Sequence, residues 1–378
     1  MEIDYKQLQN IRQHLHANPE LSGKEYNTQD YIIKFISKLK PQVLARVGKT
    51  GVMACFDGQE AGKTVLVRCE LDALPIEESN EFSYSSNVPG VAHQCGHDGH
   101  SAILCGLAKH YSQHPPEKGQ IVLLWQPAEE NGEGANAVLN DTNFGFIIPD
   151  HVLALHNLPG YPLHAVVVKN GAFTAAVKSI IIKLTGKTSH AAEPESGINP
   201  ALAIAEILQQ CHELNIIETD KADFALVTPI YIHMGEKAYG TSAGYGEVHL
   251  TIRTWDNKEM KKLSKACEDI AQACAKKHKL QVQITWTQEF SANVNDASLV
   301  DKIREAATEN KLTVIERKAP FKWGEDFGQF TDQYQGAMFG IGAGKDHPAL
   351  HNPNYDFPDE IIETGITMLH SVVLKCLY

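Results

Sequence analysis

The spacing of apolar positions changes several times along the chain, and each change predicts an element. Residues 5–17 and 26–39 carry apolar side chains at helical spacing with Pro19 between them, which predicts two amphipathic helices. Leu44 to Val47 and Val52 to Phe56 read as short strands split by Gly48-Lys49-Thr50-Gly51. Thr64 to Arg68 and Leu71 to Leu74 read as strand, Gly99 to Tyr111 as helix, Gln120 to Trp125 as strand. Gln126 to Gly134 closes that strand and opens a further helix, and His151 to His156 is again a strand. Helix and strand alternate, so the pattern predicts a mixed, mostly parallel α/β sheet with helices on both faces.

Near residue 172 the pattern changes. Val177 to Leu184 is a long β-branched run, followed by a helix at Pro200 to Leu214 and strands at Ala225 to His233 and Tyr245 to Thr254. A helix at Lys258 to His278 and a strand at Leu280 to Thr285 complete what reads as an α+β unit with an antiparallel sheet. From about 287 the first pattern resumes: helix 296–309, strand Thr313 to Glu316, helix Glu325 to Phe330, strand Ala337 to Ile341 and helix 359–376. The expected organisation is one α/β domain, residues 1–171 and 287–378, interrupted by an inserted domain over 172–286. A chain of 378 residues fits two domains.

Charge narrows the partners. The net charge is −12 and the Lys and Arg are scattered, which argues against nucleic acid and anionic membrane surfaces. No window approaches the roughly eighteen uncharged apolar residues of a membrane span. The acidic start Met1-Glu2-Ile3-Asp4 does not read as a signal peptide. The eight cysteines show no Cys-x-x-Cys spacing, so reduced thiols in a cytoplasmic protein are expected.

Candidate chemistry is densest at Val91 to His100, where three histidines, Cys95 and Asp98 fall within eight positions. Cys95 and His97 flank Gly96, so both donor atoms can turn toward one point. Thiolate and imidazole suit zinc and its first-row neighbours. The alternative is a buried cysteine among incidental histidines. Glu129 and Glu130 follow a strand and point in different directions on an irregular turn. One can then bind a metal while the other faces the water bound to it, as metal-assisted hydrolysis requires. The alternative is a charged helix start. His156 ends a further strand, and side-by-side strands would bring these donors to one edge of the sheet. His351 lies in a proline-rich loop, which suits either a held ligand or a surface turn.

Taken together the residues resemble a known family. They are Leu15-His16-Ala17-Asn18-Pro19-Glu20-Leu21-Ser22, Leu71-Asp72-Ala73-Leu74-Pro75-Ile76, Cys95-Gly96-His97-Asp98-Gly99-His100 and Gln126-Pro127-Ala128-Glu129-Glu130. Further along stand Leu155-His156, Gly186-Lys187 with His190-Ala191-Ala192, Gly324-Glu325-Asp326-Phe327 and His351-Asn352-Pro353. This ordered set resembles the metal-dependent amidohydrolases related to aminoacylase, hippurate hydrolase, N-acetyldiaminopimelate deacetylase and the plant auxin-conjugate hydrolases. They form one branch of the larger aminoacylase and glutamate-carboxypeptidase family.

The resemblance implies hydrolysis of the amide bond of N-acyl amino acids, small substrates with a free carboxylate. It implies two divalent metal ions per chain, zinc or manganese, with cobalt or nickel also suited to the donors. Cys95, His97, Glu130, His156 and His351 would be the metal ligands and Glu129 the general base. Asp72 would fix a ligand from behind. His190, from the inserted domain, would stabilise the oxyanion or bind the substrate carboxylate, and Arg253 would lie near substrate or on a sheet face. The inserted domain would serve as lid and dimerisation domain of a homodimer, with the strand Tyr245 to Thr254 and the helix 200–214 as candidate interface. A dipeptidase or carboxypeptidase is the alternative enzyme, and a non-catalytic metal-binding relative the alternative class. The chain departs from the family at Glu70, at Thr188-Ser189 and at Gly240-Thr241-Ser242-Ala243, the last two where substrate would sit.

Overall fold

The computed structural model describes residues 4–378; part of the acidic start, residues 1–3, lies outside the described residues. The chain divides into two compact units. The first comprises Met1–Phe173, Asn293–Lys318 and Glu325–Tyr378, and the second Thr174–Ala292 and Ala319–Gly324.

Among the described residues the first unit holds an eight-stranded mixed sheet. In spatial order its strands are Val43–Val47, Gly51–Asp57, Lys118–Gln126, Glu60–Glu70, His151–Pro159, Gly336–Gly344, Val166–Val168 and Val314–Glu316. The four from Lys118–Gln126 to Gly336–Gly344 run parallel to one another. Their carboxyl ends therefore share one edge, with Glu70 beside Gln126 and Gly340 beside His156. Apolar residues run almost unbroken through Lys118–Gln126 because both faces are covered. Ile121, Leu123 and Trp125 join the core under the long helices, while the intervening Val122 and Leu124 are equally buried. Helices Tyr5–Ala17, His97–Gln113, Ala297–Glu309 and Ile361–Leu377 build that core. Asp4 and Asp296 cap the helices that follow them, Asp4 accepting the Gln7 N–H and Asp296 those of Ser298 and Leu299, a cap worth about 1 kcal/mol.

The second unit is a four-stranded antiparallel sheet in the order Ala225–Met234, Tyr245–Thr254, Ala176–Thr185, Gln281–Phe290. Tyr245–Thr254 alternates strictly, with Val248, Leu250 and Ile252 wholly buried with the helices Ala201–His212 and Asn257–Lys277. The unit extends past residue 286 because Gln281–Phe290 is the outer strand of its sheet. Residues 319–324 belong to it through the bridge between Thr174 and Phe321.

Several details differ from expectation. Leu71 to Leu74 is irregular, and its β-type pairing is confined to isolated bridges at Ala73 and Leu74. Tyr245–Thr254 is an inner strand paired on both sides, so it offers no edge to another chain. Of the sheet's two edge strands, Ala225–Met234 is the one on which Ile230, Tyr231, Ile232 and Met234 are exposed. No helix among the described residues is long and apolar enough to cross a membrane.

Candidate metal centre and active site

Three segments of the first unit converge where the parallel strands end. Cys95 and Gly96 precede the helix His97–Gln113, of which His97 is the first residue. The thiol does not follow directly on a strand, since the irregular stretch from Leu71 separates it from Glu60–Glu70. Gly96 has φ +93°, and a Cβ there would lie 2.7 Å from the Asn157 side chain. Only glycine lets the chain turn between the two donors against that wall. His156 lies inside the strand His151–Pro159, three residues short of its end. Glu129 and Glu130 follow the strand Lys118–Gln126 on a turn.

The donor atoms form overlapping sets. Cys95, His97 and His156 make one, Cys95, Glu130 and His351 a second, and His97, Glu129 and Glu130 a third, each within 4.8 Å of one another. Cys95 Sγ lies 3.6 Å from His156 Nε2. Glu130 stands 3.9 Å from His97 Nε2 through Oε1 and 3.7 Å from His351 Nε2 through Oε2. His97, Cys95 and His156 are buried, whereas His351 is half exposed.

Three of these residues, His97, His156 and Glu130, are held from behind. His97 Nδ1 donates to the Asp72 carbonyl at 2.9 Å, which turns Nε2 toward Glu130. His156 Nδ1 donates to the Asn157 carbonyl at 2.8 Å. Asp72 Oδ2 accepts the Glu130 N–H at 2.9 Å and the Ser22 hydroxyl at 2.7 Å.

The electrostatics describe a site short of positive charge. Burial, then Glu130 and Glu129, push the Cys95 thiol well above its ordinary value. Burial lifts Glu130 to about 7 against the pull of His97. Burial, with Glu325, Glu130 and Asp326, holds Glu129 well above the carboxylate range. Burial opposes a charge on His97, but Asp72, Glu70 and Glu130 outweigh it and raise its pKa to about 10. His156, buried near His100, falls to about 3. A bound cation favours the ionised thiol and carboxylates and takes the proton's place on imidazole. His97 Nε2 and Glu130 Oε1 are buried with no hydrogen-bond partner. Two orphaned donors aimed at a common point fit a cation, since such groups are otherwise costly to leave unsatisfied.

A buried polar layer lies behind the turn. Arg68 is wholly buried and pairs with Glu70, with Asp326 at 2.6 Å, with Glu325 at 2.8 Å and with Gln126 at 2.9 Å. Glu70 accepts from His100 Nδ1 at 2.6 Å, and His100 Nε2 lies 2.6 Å from Asn157 Oδ1. Asp326 N–H points to Glu129 Oε1 at 3.3 Å. The sequence reading does not single out Arg68, His100, Asn157 or Asp326 as site residues. A signal for them exists in Arg68-Cys69-Glu70 and Gly324-Glu325-Asp326, charges embedded in apolar runs. His190 and Arg253 belong to the second unit. His190 is exposed on the short strand Ser189–His190, paired with Thr241–Ser242. Arg253 Nη1 donates to the Lys322 carbonyl at 2.9 Å.

A mixed α/β sheet with a buried thiol, imidazoles and carboxylates gathered beside its strand ends fits a metal-dependent amide hydrolase. The chain belongs to peptidase family M20/M25/M40, whose profile matches residues 66–375. It is 32% identical over 373 residues to the N-acetyl-L-cysteine deacetylase of Bacillus subtilis (strain 168), covering 98% of this chain and 88% of the relative. The N-acetyldiaminopimelate deacetylase of the same organism is 31% identical, covering 95% and 96%. Among solved structures, a Bacillus subtilis protein described as a dinuclear metal-binding peptidase of the M20 family superposes with a TM-score of 0.83. It is 25% identical, with 99% and 98% of the chains covered.

Proposed function

We propose that this chain hydrolyses the amide bond of small N-acyl amino acids, N-acetyl compounds among them, at a two-metal site. Cys95, His97, Glu130, His156 and His351 would hold the ions, since their donor atoms fall into overlapping sets. Zinc, manganese, cobalt or nickel suit a donor set of thiolate, imidazole and carboxylate. When bound, such ions supply Lewis acidity and lower the pKa of water.

The observation that carries the reading is the divergence of Glu129 and Glu130. Glu130 faces His97 and His351, while Glu129 also groups with Glu325 and Asp326. Glu129 is 6% exposed and ringed by carboxylates that favour its protonated form. It is therefore suited to take a proton from water and return it to the leaving amine. Asp72 keeps His97 and the Glu130 backbone in register during that exchange. His190 is assigned to the oxyanion or the substrate carboxylate, and Arg253 to substrate. The second unit is assigned as lid and dimerisation domain, over the expected 172–286 core of that unit, in a cytoplasmic homodimer. The exposed strand edge Ala225–Met234 supports pairing with a second copy, because unpaired apolar edges otherwise invite aggregation.

The test is a panel of N-acetyl amino acids, N-benzoyl amino acids and dipeptides. It is run on protein stripped by chelator, then resupplied with zinc, manganese or cobalt. Metal-dependent release of a free amino acid from the acyl compounds is expected. Cleavage of the dipeptides alone would replace the acylase reading by a dipeptidase.

A further inference from the structure

Ala128 is where the backbone bends before the two acidic residues. Its φ is +51°, in the left-handed region that non-glycine residues occupy at a cost of roughly 1–2 kcal/mol. It stands between Pro127 and Glu129, so its dihedrals decide how both carboxylates leave the turn. The surroundings are tight. A Cβ on Gly134 would sit 1.7 Å from the Pro127 carbonyl oxygen, and one on Gly51 would sit 2.7 Å from Pro127 Cδ.

The Ala128 N–H does not pair with the sheet. It donates to Glu25 Oε1 at 2.8 Å. Glu25 is wholly buried, and the same carboxylate accepts the Gly23 N–H at 2.9 Å and the Thr50 hydroxyl at 2.6 Å. Three donors thus converge on one carboxylate that lies 103 residues before the turn in the chain. The Ala128 carbonyl is fixed as well, accepting the Gly134 N–H at 2.9 Å. These contacts hold the strained residue from both sides, as strain at a working site requires.

We propose that Glu25 is a positioning residue, clamping Ala128 in the left-handed conformation that sends Glu129 and Glu130 in different directions. The inference rests on the reading of Glu129 as base and Glu130 as ligand. Glu25 acts through backbone, not on substrate or metal.

The test compares Glu25→Ala, Glu25→Gln, Ala128→Gly and the double variant Glu25→Ala/Ala128→Gly. Two quantities are read: affinity for Co2+ by competition with a chromophoric chelator, and kcat and KM on the acyl amino acid that the wild type cleaves fastest. Glu25→Ala is expected to lower Co2+ affinity and kcat by about 10–100-fold, the usual effect of losing a group behind a ligand, with KM nearly unchanged. Glu25→Gln is expected to keep most of both, because its amide oxygen still accepts two N–H groups while its NH2 donates to Thr50. Adding Ala128→Gly to Glu25→Ala is expected to recover much of the loss, since glycine adopts positive φ without a clamp. Should Glu25→Ala not fold, Glu25→Asp, one methylene too short to reach, takes its place in the same comparison. Wild-type Co2+ affinity in Glu25→Ala, or a loss that Ala128→Gly leaves untouched, would overturn the proposal. If the wild type cleaves no acyl compound but the Co2+ pattern holds, Glu25 keeps its role and the substrate reading is what fails.

Discussion

Asp72 accepts the backbone N–H of Glu130 through its carboxylate at 2.9 Å. Its carbonyl oxygen takes the Nδ1 proton of His97 at 2.9 Å, and its other carboxylate oxygen lies 3.3 Å from the same nitrogen. One residue thereby sets both the tautomer of an imidazole and the path of the chain that carries a carboxylate. Asp72→Ala is expected to weaken metal binding by about 10–100-fold while the fold is retained. Chelator competition against Zn2+ or Co2+, with circular dichroism as a control, measures it. Unchanged affinity would show that His97 and Glu130 hold their places unaided.

The N-terminal helix makes a pH prediction through His16, whose partner Asp98 follows His97 in the chain. His16 is wholly buried between Asp98, at 2.9 Å, and Glu78, at 3.1 Å. Burial opposes its charge, but the hydrogen bonds to Asp98 and Glu78 outweigh it and raise the pKa to about 10. A raised folded pKa means the stabilisation is complete below the unfolded value of about 6.5 and is lost as pH rises through about 10. Between these limits the unfolding free energy of the wild type should fall relative to His16→Gln, by at most ~1.4 kcal/mol per pH unit for one proton. Urea unfolding of both proteins from pH 6 to 10 reads the difference. Parallel curves would mean that His16 is neutral in the folded state.

Much of this fold is legible in the pattern of residues. Tyr245–Thr254 has the bounds its alternation predicts, because one face meets helices and the other does not. The strand Val166–Val168 leaves no such mark. It is three residues long, wholly buried, and held by neighbours remote in sequence, so no alternation or turn residue signals it. Leu71 to Leu74 imitates a strand because Leu71 and Ala73 are buried, Leu71 in the main core, although the stretch joins no sheet. At the site, the donor residues announce themselves by type and crowding. Their supports do not: Arg68 meets Asp326 across 258 positions, and Glu25 meets Ala128 across 103. Nothing in local spacing can report a contact made only when the chain has folded.

The exposed edge strand tests the assignment of a dimer. Ile230, Ile232 and Met234 are 61%, 49% and 41% exposed on the edge strand Ala225–Met234, a run of apolar side chains beside unpaired backbone groups. Sedimentation should report a dimer for the wild type. Ile232→Lys, which places a charge on that edge, should shift it toward monomer without lowering its melting temperature by more than a few degrees. An Ile232→Lys variant that sediments with the wild type would place any interface elsewhere.

Glu129 carries the central claim, that one carboxylate moves the proton while its neighbour holds a metal. The direct measurement sets Glu129→Gln beside the wild type, each stripped and reloaded with Co2+, and reads bound metal and turnover in the same samples. Two equivalents of Co2+ in both proteins, with turnover of the variant lower by about 10²–10⁴-fold, is the expected result for loss of a general base. A variant that keeps its metal and cleaves at near the wild-type rate would contradict the account.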